Sequence, residues 1–260
     1  MMDSISVSIP SLVLSFSLVL VAMGISYKEK LGLNKDIIIS MARMIIQLII
    51  VGYVLTFIFN LNLSWVTILV ILFMVVNAAW NARRRAEAIP HAFRISLISL
   101  LIGVIFSLVI LVLTGAIDFV PSQLIPINGM LVGNGMNVIG LSYRNLNQAY
   151  NHSYQVVNER LALGATPKLA SKTIIRQAIK DSLQPTIDTA RTVGLVLLPG
   201  MMTGMIMAGL NPMSAIMYQI LIYFMMMSTG TITSCLAVYQ SYKYFFNDSA
   251  QLVPLNSNDN

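Results

Sequence analysis

Long apolar runs separated by short polar segments make up most of the chain. Each run has about 20 residues, the length that crosses a hydrocarbon core of about 30 Å. In lipid such a run must be helical, because no water is present to satisfy unpaired backbone groups. The pattern therefore predicts an all-α polytopic membrane protein with about seven transmembrane helices. The predicted spans cover about residues 5–26, 37–59, 63–82, 94–117, 122–143, 192–210 and 213–239.

The sixth of these runs is the least regular. It contains Pro199-Gly200, and only Asn211-Pro212 separates it from the seventh run. A proline inside a span bends or interrupts the helix, because it removes one backbone donor. Both a kinked span and a broken, partly re-entrant span are compatible with this segment.

Composition excludes several other classes of protein. Hydrophobic residues form 57% of the 260 residues and charged residues only 10%, whereas soluble domains carry about 25% charged residues. The single cysteine excludes an internal disulfide, and a structural zinc site is not expected without a cluster of Cys and His. We therefore expect one transmembrane domain over residues 1–260.

Lysine and arginine indicate how the helices are oriented. Lys28, Lys30 and Lys35 lie in the first loop, Arg83–Arg85 lie in the third, and seven of the sixteen basic residues lie in 144–191. The second, fourth and sixth loops contain no basic residue. The positive-inside rule then places the N-terminus outside and the C-terminus in the cytoplasm. The net charge of +6 therefore needs no nucleic-acid partner.

The segment 144–191 is the one long loop, and we expect it to be cytoplasmic. The absence of Gly and Pro from 141 to 163 predicts that the fifth helix continues beyond the membrane. Gly164 is typical of a helix C-cap, and Thr166-Pro167 is typical of a helix start. A second helix is expected over about 167–183, ending before Pro185. The polar tail 247–260 is expected to be flexible.

A basic stripe runs along that second helix. It consists of Lys168, Lys172, Arg176 and Lys180, which recur every four residues. Such a stripe beside apolar residues is ordinary for a helix that lies on anionic lipid headgroups. It would equally serve as a docking surface for a cytoplasmic protein.

Catalytic motifs are missing from the sequence. It contains no HExxH, no GxSxG and no phosphate-binding GxxxxGK[ST], so we expect neither an enzyme nor ATP hydrolysis by this chain. Arg43 is the only charge inside a predicted span. It either has an interhelical or pathway role or extends to the headgroups, as long arginine side chains do.

The fifth and sixth spans combine polar amides with small residues and methionines. Gly129, Gly133 and Gly204 belong to small-xxx-small pairs that predict close helix packing. Two interpretations of the amides stay open: interhelical hydrogen bonding, or a pathway with a gate at a broken helix. The methionines are either flexible filler or soft metal ligands. The residues concerned are Asn134, Asn137, Pro199, Gly200, Met201 and Met202, and no metal-ligating set can be assigned.

Five motifs occur in a fixed order along the chain. They are Arg43-x-x-x-Gln47-Leu48, Gly129-Met130-x-x-Gly133-Asn134, Glu159-x-Leu161-Ala162-Leu163-Gly164-Ala165, Leu198-Pro199-Gly200-Met201-Met202-Thr203-Gly204 and Asn211-Pro212-x-x-Ala215-Ile216-x-Tyr218-Gln219. Over about 40–240 this order resembles the FetB-type family of ABC permeases, which includes bacterial iron exporters and plant aluminium-tolerance permeases.

The resemblance implies the transmembrane subunit of an ATP-driven exporter in the bacterial inner membrane, with iron as substrate and a role in metal homeostasis. It implies a permease homodimer and a separate, FetA-like cytoplasmic ATPase that holds ATP and Mg. Coupling to that ATPase would fall to Glu159, Gly164, Ala165 and Arg176. The alternatives are a non-ABC metal channel or carrier, an ABC permease for another substrate, and a membrane adaptor or receptor without transport.

Overall fold

A computed structural model describes residues 8–61, 63–86 and 89–253 of the chain. This part is helical and contains no strand, only two isolated bridges. The all-α prediction is therefore confirmed. The helices are α1 (Ile9–Ser15), α2 (Ser17–Lys28), α3 (Asn34–Leu61), α4 (Ser64–Arg83), α5 (Ala92–Leu113), α6 (Pro121–His152), α7 (Tyr154–Ala162), α8 (Pro167–Ala170), α9 (Lys172–Thr192), α10 (Gly200–Met207) and α11 (Pro212–Ser241), followed by a 3-10 helix, Tyr242–Phe245.

Six helical segments in the described residues are long and apolar enough to cross a membrane. They correspond to six of the seven predicted spans, and the protein is a polytopic membrane protein. The first prediction starts at residue 5, and residues 5–7 lie outside the described part. The segments are Pro10–Lys28, Asn34–Leu61, Ser64–Arg83, Ala92–Leu113, Pro121–His152 and Pro212–Phe245.

The sixth predicted span, 192–210, is not a continuous helix. Helix α9 ends at Thr192, residues 193–199 are not helical, and α10 has only 8 residues. Gly194 has a φ of +86°, which a β-branched or bulky residue would not tolerate. The N–H groups of Leu195, Val196 and Leu197 all point to the carbonyl of Thr192, at 2.9–3.3 Å. Of the two forms that the sequence allowed, the broken one is therefore present.

The corner at Gly164 has the predicted geometry. Its φ is +88°, its N–H donates to the carbonyl of Leu161, and the N–H of Ala165 donates to that of Arg160. This pair of bonds is the Schellman motif, which favours glycine at the left-handed position. Thr166 then caps α8, because its hydroxyl accepts from the N–H of Leu169 at 3.4 Å.

The second helix of this loop does not end before Pro185, so that part of the prediction is wrong. After the short α8, α9 covers 21 residues and contains Pro185 in its interior. A proline removes only its own N–H bond and crowds the preceding turn. The buried face of α9, which includes Ile175, Ala178 and Ser182, compensates for that loss through packing.

The chain divides into two compact units, one containing α1–α3 and the other α4–α11. In the first unit, the apolar side chains along α1–α3 are mostly exposed, and Arg43 is exposed on α3. In the second unit α4, α5, α6 and α11 surround a core that contains Leu100, Leu131 and Tyr143.

We call the contact of α5 and α6 with α11 the seam. It is lined by small and hydroxylated residues. A Cβ at Gly103 would lie 2.7 Å from Thr233 Cγ2, and one at Gly135 would lie 2.8 Å from Leu100 Cδ2. The hydroxyls of Ser107 and Thr229 are 2.7 Å apart. A Cβ at either position would force the neighbouring side chain to shift, so these contacts favour glycine.

Of the three glycines predicted to pack closely, only Gly129 has a close neighbour on another helix of the described part. A Cβ at Gly129 would lie 3.1 Å from Met74 Cε. Among the described residues, no atom lies within 4 Å of the corresponding point at Gly133 or Gly204. Within the described part of the chain, the tight contacts fall at Gly103, Gly135 and Gly140 instead.

The first part of the tail that the sequence predicted to be flexible, 247–253, forms a turn. Asn247 and Gln251 bond to each other through side chains and backbone, and Leu252 is buried. This turn ends the described part, and residues 254–260 of the predicted tail lie outside it.

Candidate translocation site

Helix α9 packs directly against α6 and α11. The hydroxyl of Ser234 on α11 lies 2.8 Å from Ser182 on α9 and 2.9 Å from Ser142 on α6. All three serines are buried. From about Ser182 onward, α9 is therefore part of the helix bundle. The chain returns to the bundle about nine residues before the predicted end of the loop 144–191.

Asn134 on α6 connects the same three helices through two further hydrogen bonds. Its Nδ2 donates to the carbonyl of Met226 at 3.0 Å, and its Oδ1 accepts from the hydroxyl of Thr186 at 3.2 Å. Both ends of the amide thus form interhelical hydrogen bonds. The sequence allowed two roles for this amide, interhelical hydrogen bonding or a place on the pathway, and the structure shows the hydrogen bonding.

Asn137 has a different partner. Its Oδ1 accepts from Arg85 Nη1 at 3.2 Å. The stem of Arg85 passes over Gly140, where a Cβ would collide with it. Asn134 and Asn137 both line a cavity of about 150 Å³ between α6, α9 and α11, together with Thr189 and Tyr223. The two predicted amides are therefore neighbours in the fold, on one polar cavity.

A second, larger cavity of about 530 Å³ lies between the broken segment and α11. Pro199 and Met202 line it, and Tyr223 borders both cavities. Gln219 also lines it, is only 7% exposed, and its Oε1 accepts no hydrogen bond from the described residues. We did not predict a role for Gln219, although a lone amide in an apolar run was a signal for one.

Helix α10 is held loosely by comparison. None of its eight residues, all of them described, is buried. Pro199 precedes it, and the hydroxyl of Thr203 donates to the carbonyl of Pro199 at 3.1 Å. Gly200 and Met201 do not line either cavity. The structure thus groups Pro199 and Met202 with Gln219, whereas Asn134 and Asn137 lie on the polar cavity.

The predicted coupling residues lie at and beside the Gly164 corner. Glu159 and Gly164 are exposed, and Ala165 is half-buried. Leu163, between them, is 88% exposed. Arg176 lines a nearby cavity of about 250 Å³ with Lys168, Lys172 and Tyr239. An exposed leucine at a rigid corner with charged neighbours suits the docking of a protein, because buried apolar anchors dominate such contacts.

The described residues contain no group of three or more His, Cys, Asp or Glu that could hold a metal ion. A cation in either cavity would instead meet amide, hydroxyl and thioether groups.

Comparisons with known proteins agree over nearly the whole chain. The model of UPF0014, described as an uncharacterised protein family, matches residues 9–246. The chain is 49% identical over 252 residues, 97% of both chains, to "Probable iron export permease protein FetB" of Escherichia coli strain K12. It is 40% identical to "Protein ALUMINUM SENSITIVE 3" of Arabidopsis thaliana, over 90% of this chain and 86% of the relative.

A further relative is "UPF0014 membrane protein STAR2" of Oryza sativa subsp. japonica, which is 38% identical over 91% of this chain and 83% of its own. No solved structure matches the chain.

Proposed function

Because the chain belongs to the UPF0014 family, we propose that this membrane permease is the transmembrane subunit of an ATP-driven ABC exporter. Its substrate is iron, moved out of the cytoplasm across the bacterial inner membrane as part of metal homeostasis. The observation that carries the proposal is the nearly full-length similarity to a relative named as an iron export permease.

The exposed corner supports the ATP-driven part of this proposal. A FetA-like ATPase holds ATP and Mg, and this chain binds neither. Glu159, Gly164 and Ala165 meet the ATPase, and Arg176 joins the contact from the adjoining basic cavity. Two permease copies match the two ATPase subunits, which close on each other when ATP binds.

The gate consists of α10, the broken segment before it and the two cavities beside it. Movement of the corner is transmitted along α9, which is continuous from Lys172 to Thr192. Pro199 and Gly200 form the hinge, while Met202 slides along the wall of the larger cavity and Met201 moves with the same helix. Asn134 and Asn137 bound the polar cavity and guide the inner face of α9. The seam stays fixed, because its contacts leave no room.

The proposed orientation follows from the basic loops, with the N-terminus outside and the corner and C-terminus in the cytoplasm. A reporter enzyme that is active only outside the membrane, fused after Leu113, is expected to be active. The same reporter fused after Gly164 is expected to be inactive. The opposite result at both sites would reverse the orientation and place the corner outside the reach of a cytoplasmic ATPase.

The decisive test is iron efflux from proteoliposomes that contain the permease and a FetA-like ATPase. We expect efflux only with ATP, and we expect Gly164→Val to abolish it, because valine strains the left-handed corner and changes the docking surface. The matched control is Gly115→Val. Gly115 has a φ of +66°, ends α5 with the same pair of backbone bonds and has no atom within 4 Å of its Cβ position.

Three outcomes contradict parts of the proposal. Efflux without ATP or ATPase would indicate the channel or carrier alternative. ATP-driven flux of another metal but not of iron would correct the substrate. Equal activity of Gly164→Val and Gly115→Val would remove the corner from the coupling mechanism.

A further inference from the structure

The hydrogen bonds between helices show how deep α9 lies in the membrane. From Pro212 to Ser234, α11 rises about 33 Å, and from Pro121 to Ser142, α6 rises about 31 Å, at 1.5 Å per residue. Each length matches a hydrocarbon core of about 30 Å. With the crossings taken to begin at Pro121 and Pro212, and with the proposed orientation, the three bonded serines, Ser142, Ser182 and Ser234, lie at its cytoplasmic edge.

Residues of α9 beyond Ser182 lie inside that edge. Thr186 bonds Asn134, whose amide bonds the carbonyl of Met226, about 12 Å from Ser234 along α11. Ala190 lines the same cavity as Tyr223, which is about 16 Å from either end of the crossing. Asp188 lies between Thr186 and Ala190 in the chain, so it lies near the middle of the membrane.

The side of α9 that carries Asp188 is polar and uncovered in the single chain. Asp188 is bonded by Gln184 Nε2 at 2.8 Å and by Arg191 Nη1 at 3.2 Å. The side chains of Arg191 and Asp188 are 70% and 54% exposed. We call these three residues the α9 polar face. Their spacing of four and three places them on one side of the helix, while Ser182 and Thr186 on the opposite side are buried.

Lipid cannot cover such a face. Ionised side chains at membrane depth are directed toward a water-filled cavity or toward protein, and they mark the routes of ions through membrane proteins. The sequence placed Asp188 and Arg191 in a cytoplasmic loop, where a salt bridge would be unremarkable. At the depth inferred from the interhelical bonds, the same pair requires water or protein beside it.

We propose that the α9 polar face lines the water-filled path of the cargo, and that Asp188 is the carboxylate that binds a hydrated divalent cation there. The inference rests on the proposed transport function and names its path. Arg191 neutralises Asp188 between passages. An arriving cation takes its place as the partner of the carboxylate, and Gln184 adds an amide oxygen. No bond is made or broken in this exchange.

Solvent access to the face can be measured without any transport. In a Cys235→Ser background, Gln184→Cys is treated in native membranes with a membrane-impermeant, hydrophilic maleimide. The matched control is Ile98→Cys on α5, a half-exposed residue two positions beyond Ser96, which bonds Tyr143 next to Ser142. We expect Gln184→Cys to react at least about tenfold faster, because the thiolate forms only in contact with water.

Equal, slow labelling of both cysteines would overturn the proposal. Rapid oxidation of Gln184→Cys to a disulfide between two copies, without maleimide labelling, would also overturn it, because a second copy would then cover the face. Neither result depends on ATP or on an ATPase. A failure of the proposed exporter function and a failure of this path can therefore be told apart.

Cation binding is tested by protection. Anaerobic Fe²⁺ is expected to slow the labelling of Gln184→Cys, and Asp188→Asn is expected to raise the Fe²⁺ concentration needed for protection by about tenfold or more, since a full charge is lost. Asp181→Asn removes an equal charge on the same helix, on the cytoplasmic side of the three bonded serines. It is expected to leave protection by Fe²⁺ unchanged. Asp188→Glu, which keeps the charge, should retain protection by Fe²⁺.

Because Asp188 is exposed, these variants should fold, and size-exclusion chromatography checks this directly. Unchanged protection in Asp188→Asn would overturn the cation-binding role. Protection lost equally in Asp181→Asn and Asp188→Asn would show a general effect of charge and would overturn it as well.

Discussion

The seam and α10 are built from similar residues but differ in how they are held. Both contain glycine, threonine and methionine within an apolar background. At the seam, glycines touch threonine and leucine side chains of neighbouring helices. In α10 no residue is buried, and a cavity of about 530 Å³ adjoins it. The contrast shows that close fit, rather than composition, separates a fixed part from a movable part.

A gate needs both properties in one molecule. A movable helix transmits force only if it moves against a support that does not deform, because packed interiors resist small displacements. The seam supplies that support through α5, α6 and α11. Helix α9 connects the two regions, since one of its faces is bonded to the bundle and its C-terminal end enters the broken segment. Substitutions in the seam and in α10 should therefore differ in their effects.

The largest effect on stability is expected at Gly103. In Gly103→Ala the new methyl group would lie 2.7 Å from Thr233 Cγ2 and 3.3 Å from the carbonyl of Thr229. Overpacking of this kind costs about 1–3 kcal/mol. The free energy of unfolding, or the Tm of the purified permease in detergent, measures it. The matched substitution Gly133→Ala, at a glycine with open space around it, should cause no loss. Equal losses would show that the seam is no tighter than the rest.

A smaller effect is expected at Ser234, which bonds both Ser142 and Ser182. Ser234→Ala removes two interhelical hydrogen bonds, each worth about 0.6 kcal/mol in a membrane protein, so a loss of about 1 kcal/mol is expected. Thr231→Ala is the control, because its hydroxyl bonds only to Met227 of the same helix. A Tm that falls equally in both variants would mean that the three serines do not hold α9 to the bundle.

The smallest effect on stability is expected in α10. Met202→Leu keeps the volume and should change the free energy of unfolding by less than about 0.5 kcal/mol, because the residue is not buried. ATP-dependent iron efflux should nevertheless fall, since Met202 lines the larger cavity. Met201→Leu, which lies on neither cavity, should change efflux less. If the double variant exports iron normally, the two methionines are packing residues and not part of the gate.

Much of the fold could be predicted from the sequence, because hydrophobic length and charge position determine most of it. The Gly164 corner followed from one glycine and a Thr-Pro pair. The continuation of α6 beyond the predicted span followed from the absence of helix breakers. Pro185 was misleading, since its local effect is smaller than the packing of the buried face of α9. For Gly133 and Gly204 the packing role stays a prediction, because spacing alone does not show which helix face meets a neighbour.

The candidate site was less accessible to sequence reasoning. Asn134 and Asn137 do lie on one cavity, but their partners, Thr186 and Arg85, are about fifty residues away in the chain. Asp188 and Arg191 looked like ordinary loop charges, because α9 is too polar to be recognised as a membrane helix. Their depth follows only from Ser182 and Thr186, whose hydrogen bonds connect α9 to helices of known length.

The central claim is that α10 moves against a fixed seam during export, and cross-linking tests it most directly. In a Cys235→Ser background, Met202→Cys and Ile220→Cys, which line one cavity, are joined by a short thiol cross-linker. Ser107→Cys and Thr229→Cys, whose hydroxyls are 2.7 Å apart in the native chain, are joined across the seam by a disulfide. The account predicts that the first cross-link stops ATP-dependent iron efflux and that the second leaves it intact. Efflux that survives the α10 cross-link, or that stops equally with both, would contradict it.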